Sequence, residues 1–100
     1  MHIQVYETGV GGGILLTRKN DTGKMLDTSY ASFTAPVVVK CVVKIDGQII
    51  DTIYAGAGGS HSWWTAAQGK LLPHGLKPDE TLVITADGPA ALRVDWLDQD

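Results

Sequence analysis

Apolar and polar residues alternate with period two along most of the chain, and glycine, proline, asparagine and aspartate break the alternation at short intervals. Side chains of a strand point alternately to its two faces, so this pattern predicts antiparallel strands with one face on a core. The closing part is the clearest. Pro78-Asp79-Glu80 suits a tight turn, because proline presets the backbone angle at the position after the start. Leu82, Ile84 and Ala86 then alternate with Val83, Thr85 and Asp87, and Asp87-Gly88-Pro89 breaks the run. Leu92, Val94 and Trp96 alternate in turn with Arg93, Asp95 and Leu97.

Earlier segments read the same way. Ile3 and Val5 alternate with His2, Gln4 and Tyr6 in a first short strand; 14–18 is a second, closed by the Asn20-Asp21-Thr22-Gly23 turn. Residues 28–34 fit a weak strand or an extended loop. Over 37–46, Val37, Val39, Cys41, Val43 and Ile45 form one apolar row, and Val38, Lys40, Val42, Lys44 and Asp46 a mixed row. Asp46-Gly47 is a hairpin signal, since both residues tolerate positive φ. In the partner strand over 48–55, Ile49, Asp51 and Ile53 share one face and Ile50, Thr52 and Tyr54 the other. No helical period runs for a useful length, and strands recur with turns between them. The expected fold is all-β: a single antiparallel β-sandwich over 1–100, jelly-roll-like, with about eight strands. Leu82, Ile84, Val94 and Trp96 are expected to face inward with Val39, Cys41 and Val43.

Composition narrows the function. With 44% apolar and 19% charged residues the chain is neither disordered nor membrane-spanning in character, and no apolar run approaches the roughly 20 residues of a membrane helix. The start lacks the pattern of a signal peptide, so synthesis in a bacterial-type cytoplasm is expected. A net charge of −3 argues against nucleic acid as a partner, since phosphate binding needs clustered Lys and Arg. The single Cys41 forms no internal disulfide and is read as a small buried hydrophobe.

Candidate chemistry is sparse. His2, His61 and His74 lack metal-ligand spacing. Ser60-His61-Ser62 sets a hydroxyl beside an imidazole, but a nucleophile and its base normally meet through the fold rather than in sequence. The glycine-rich stretches 8–13 and 56–60 lack the Lys-Ser/Thr of a phosphate loop and are expected to be connections at the ends of the sandwich. Asp95, Asp98 and Asp100 read as a solvated acidic end. No catalytic residue, metal ligand or cofactor is expected, and the chain is read as not an enzyme. Trp63-Trp64 is the most informative pair: on a strand one indole enters the core and the other faces outward, where it suits an interface or a sugar ring.

Leu72-Pro73, then Leu76-Lys77-Pro78-Asp79-Glu80-Thr81-Leu82-Val83-Ile84-Thr85-Ala86-Asp87-Gly88, then Leu92-Arg93-Val94-Asp95-Trp96-Leu97 resembles the closing strands of small jelly-roll proteins of tailed bacteriophage virions. There, a turn such as Pro-x-Glu leads into a Leu-x-Val/Ile-x-Ala strand, a glycine-containing turn and a final strand ending in an aromatic. The resemblance covers about a quarter of the chain. It implies a head decoration (cement) protein, a homotrimer on the capsid surface that contacts the major capsid protein. Carbohydrate-binding sandwiches end similarly, so a glycan-binding or host-adsorption module of a tail or fibre, resting on Tyr30, Tyr54, Trp63 and Trp64, is the competing expectation. The expected contact residues are Tyr6, Val38, Val42, Ile50, Tyr54, Trp63 and Trp64. Neither nucleic acid nor membrane is expected as a partner.

Overall fold

The computed structural model describes residues 2–55, 59–62, 71–72 and 74–97, with backbone alone at His2 and 59–62. The strands are β1 (His2–Thr8), β2 (Gly13–Lys19), β3 (Thr28–Ala35), β4 (Val39–Ile45), β5 (Gln48–Ala55), β6 (Gly59–Ser62), β7 (Thr81–Ala86) and β8 (Ala90–Trp96). No helix occurs among the described residues. One antiparallel sheet has the order β1-β8-β3-β6 and the other β2-β7-β4-β5. Their inner faces share one apolar core, so the chain is an all-β sandwich.

The pairings are nested. β4 and β5 meet across the Asp46–Gly47 turn, β3 pairs with β6 outside them, β2 with β7 outside those, and β1 with β8 outermost. Ladders between β3 and β8 and between β4 and β7 join these pairs into sheets. At the innermost turn φ is 51° at Asp46 and 82° at Gly47. Positive angles at both central residues give a hairpin the twist its strands require. The Asp46 carboxylate also accepts a bond from the Thr81 amide at 2.9 Å, tying the turn to the start of β7.

The inner rows follow the period-two reading. Leu82, Ile84 and Ala86 of β7, Leu92, Val94 and Trp96 of β8, and Val39, Cys41 and Val43 of β4 are all buried. β3 is a full strand, with Ala31, Phe33 and Ala35 inward.

Three register shifts move residues off their alternation. Leu15 is the extra residue in β2, so Leu15 and Leu16 are both buried although adjacent. Ser29 is the extra residue in β3, and Thr28 joins the buried side instead of the row of Tyr30 and Ser32. Ile50 is the extra residue in β5: Asp51 stands opposite Val43, but Ile49 stands opposite Lys44 and is exposed. The expected shared face of Ile49 and Ile53 is therefore corrected. A bulge inserts one residue against the partner strand and reverses the parity beyond it. The row predicted over 37–46 also begins later. β4 starts at Val39 after Pro36, and Val37 and Val38 are exposed in the connection.

Loop residues close the core at the end holding the Asp46–Gly47 turn. Leu26 and Leu76 form an isolated antiparallel bridge, and with Leu71 and Leu72 they are fully buried. Asn20, also fully buried, binds the loops together. Its Nδ2 donates to the carbonyls of Lys24 and Leu76, each at 2.7 Å, and its Oδ1 accepts from the Thr22 amide and hydroxyl. At the opposite end Gly12, φ 73°, lies so close to the backbone of 86–88 that a Cβ there would stand 2.5 Å from the Ala86 carbonyl oxygen.

Candidate interaction surface

The outer face of the β2-β7-β4-β5 sheet is read directly from its register. One row runs Ile14, Thr85, Val42, Thr52, and the next runs Thr17, Val83, Lys44, Ile49. Lys40 stands beside Tyr54 in the row beyond. The first two rows carry Ile, Val, Thr and Lys44 with no acid, while the Lys40 row also holds Tyr54 and the exposed Asp87, whose carboxylate accepts from the Lys40 amide at 2.8 Å. Ile14 is 64% exposed, Ile49 62% and Tyr54 66%, while Val42 and Val83 are half-buried by their neighbours. β-branched residues pack against one another across a pleated surface, and the Ile, Val and Thr side chains of this face do so.

Of the expected contact residues, Val42 and Tyr54 lie on this face. Ile50 is the bulged residue at its margin, beside a shallow cleft walled by Ile45, Asp46, Gln48, His74, Gly75, Lys77 and Glu80. Val38, 71% exposed, sits in the connection just before β4. Tyr6 lies elsewhere. It is in β1 of the other sheet, packs against the core, and accepts a bond from Trp96 Nε1 at 3.2 Å while its hydroxyl donates to Gln4 Oε1. The exposed apolar residues of β1 are Ile3 and Val5. Trp63 and Trp64 lie outside the described residues, as do Asp98 and Asp100.

The outer face of the β1-β8-β3-β6 sheet differs in character. Asp95 stands between Ile3 and Tyr30 in the ladder and is buried rather than solvated. Its Oδ1 meets Arg93 Nε at 3.5 Å, and the Arg93 guanidinium lies 5.8 Å from the centre of the Tyr30 ring. A second cation–π contact lies at the inner side, where Arg18 of β2 stands over the Trp96 ring at 4.3 Å.

Cys41 is fully buried. Loss of water around the thiolate, and secondarily the negative charge of Asp51, push its pKa from the ordinary 9.0 up to about 12. A thiol held in that form is a weak nucleophile, since the thiolate is the reactive species. Among the described residues no group of three or more His, Cys, Asp or Glu side chains converges as a metal site, and no helix is long and apolar enough to cross a membrane.

Sequence reasoning missed Ile14 and Ile49 as members of the outer face. Nothing in the alternation marked the bulges at Leu15 and Ile50 that set the faces of Ile14 and Ile49. Comparison with known proteins returns no matching family model, no similar curated protein and no similar solved structure.

Proposed function

We propose that the chain is a structural protein of a tailed-phage virion: a jelly-roll head decoration protein, made in the bacterial host cytoplasm, that docks on the major capsid protein as a homotrimer and has no enzymatic role. The observation that carries this reading is the outer face built on Ile14, Val42, Ile49, Tyr54 and Val83. Exposed Ile14, Ile49 and Tyr54 on one sheet face, with Val42 and Val83 among threonines, are apolar surface that symmetric association would bury. The lysines favour a three-fold over a two-fold through this face. A two-fold would bring Lys40 and Lys44 toward their own copies, whereas a head-to-tail ring sets them against a different surface of the neighbour. The chain has 11 acidic residues against 8 basic ones; none of the acids lies in the two central rows, and Asp87 stands beside Lys40 in the row beyond. The nested pairing supports the jelly-roll topology, in which one long hairpin is wound into two facing sheets. Avidity from three linked copies strengthens individually weak capsid contacts.

Light scattering of the purified protein, followed by co-sedimentation with shells assembled from a tailed-phage major capsid protein, tests the reading. The expected result is a multiple of three chain masses and retention on shells, with Val42→Lys and Ile49→Lys each removing the factor of three. The exposed Tyr54 ring favours one second reading, a glycan-stacking module. A monomer that ignores shells and binds a defined oligosaccharide through Tyr54 would replace the first reading with the second.

A further inference from the structure

Sheet edges offer unpaired backbone donors and acceptors to any strand that can reach them, and proteins ordinarily blunt them with bulges, short strands or lysine. Three of the four edges here carry such devices. β2 bulges at Leu15 and bears Arg18 and Lys19; β5 bulges at Ile50; β6 has four residues. β1 has none. It runs seven residues, His-Ile-Gln-Val-Tyr-Glu-Thr, and keeps an unbroken register with β8 from His2 opposite Trp96 to Thr8 opposite Ala90. It contains no proline, glycine, lysine or arginine, and among the described residues β8 is its ladder partner, on one side only. Ile3 and Val5 stand on its outer side, 51% and 60% exposed.

We infer that the open edge of β1 pairs with β1 of a second copy of this chain, joining two β1-β8-β3-β6 sheets across a two-fold axis. The strand is self-complementary. Antiparallel pairing centred on Val5 sets Val5 against its own copy, Ile3 against Glu7 and Gln4 against Tyr6. All three pairings keep inner rows with inner rows and outer with outer, as period two demands. Glu7 is the one acidic residue of β1, and this register keeps the two copies of Glu7 apart, roughly 13 Å along the strands. The edge amides and carbonyls gain partners, and Ile3 and Val5 lose water from one flank. This contact is separate from the three-fold face proposed above. Where both form, three-fold units link through two-fold edges into hexamers, or into a continuous net on a lattice that supplies both axes.

The test is sedimentation equilibrium over a concentration series, run beside amide hydrogen exchange. The wild type should reach an even multiple of the chain mass, and alternate amides of β1 should become slow as that species forms. Val5→Lys, at an exposed outer position, should halve the mass and return those amides to fast exchange, with the melting curve showing a folded protein. Ile49→Lys, on the other sheet, should leave β1 protection intact. An odd-numbered species unchanged by Val5→Lys, with β1 amides fast at every concentration, would overturn the edge pairing while leaving the three-fold reading standing. Even-numbered assembly lost in Ile49→Lys but kept in Val5→Lys would overturn it too. Slow β1 amides seen only after adding another protein would assign the edge to a foreign strand instead.

Discussion

Asn20 and Leu76, 56 positions apart, are joined by a 2.7 Å bond from the Asn20 Nδ2 to the Leu76 carbonyl, with both residues fully buried. The same side chain holds Lys24 and Thr22, so one amide satisfies the backbone of two loops that carry no ladder of their own. Asn20→Asp would remove both donors and set a buried carboxylate against two carbonyl oxygens. Leaving buried acceptors unpaired costs the desolvation of each. The expected loss is about 3 kcal/mol, seen as a fall of roughly 15 °C in Tm. Thermal unfolding monitored by circular dichroism checks it; a change of only a few degrees would mean the loops do not depend on this amide.

Trp96 is held from two sides, by Arg18 above its ring and by Tyr6 at its indole N–H. Trp96→Ala should cost about 3–5 kcal/mol, the range for truncating a large buried aromatic. Trp96→Phe keeps a ring but loses the donor to Tyr6, and should cost about 1–2 kcal/mol. A double-mutant cycle between Arg18→Met and Trp96→Leu, which removes the ring, should give a coupling of about 0.5–1 kcal/mol by urea unfolding, the size of a partly shielded cation–π contact.

Asp79 sits at φ 71° after Pro78, and the Glu80 amide donates to the Lys77 carbonyl at 3.1 Å. Positive φ at the third position of a turn opened by proline suits glycine better than a residue with a Cβ. Asp79→Gly should therefore raise stability by about 0.5–1 kcal/mol, relief of left-handed strain outweighing the extra freedom of the unfolded chain. Chemical denaturation read at its midpoint would show it, and a lowered midpoint would mean that the carboxylate compensates for the strain.

Cys41 makes stability depend on pH in the alkaline range. Its folded pKa, about 12, lies above the ordinary 9.0 expected once unfolded. Between those values the unfolded chain has released the proton that the folded chain retains, so stability falls as pH rises from about 9 toward 12. Below 9 the contribution is fully present. Cys41→Val should flatten this part of the profile, and thiol-specific reagents should label the native protein only at the rate of its unfolding. Fast labelling at neutral pH would contradict the burial.

Much of this was legible in the alternation. β4, β7 and β8 could be read residue by residue, because their apolar rows are long and meet few polar interruptions. The bulges at Leu15, Ser29 and Ile50 were not legible, since an extra residue leaves no mark until the partner strand is known. Leu26, Leu71, Leu72 and Leu76 were equally hidden. They fill the core from loops, where no period applies. Asn20 read as a turn residue, and its second role depends on a carbonyl that only the fold brings near. On the surface, Val42 and Tyr54 were placed correctly by parity. Tyr6 was read as an outward contact, but the chain turns Ile3 and Val5 outward and keeps Tyr6 for Trp96.

The nested pairing also orders the events by which the chain reaches this structure. Only β4 and β5 can meet after closing a short loop; each pair outside them spans a longer stretch, ending with β1 and β8 at opposite ends of the described chain. Loop closure must precede the contacts that reward it, so a topology of distant partners folds slowly, on a scale of roughly milliseconds to seconds. The hairpin at Asp46 and Gly47, with the shortest loop to close, is the expected nucleus, and changes there should alter the rate of folding. Changes in β1, whose partner β8 is the most distant in the chain, should alter mainly the rate at which the finished molecule comes apart.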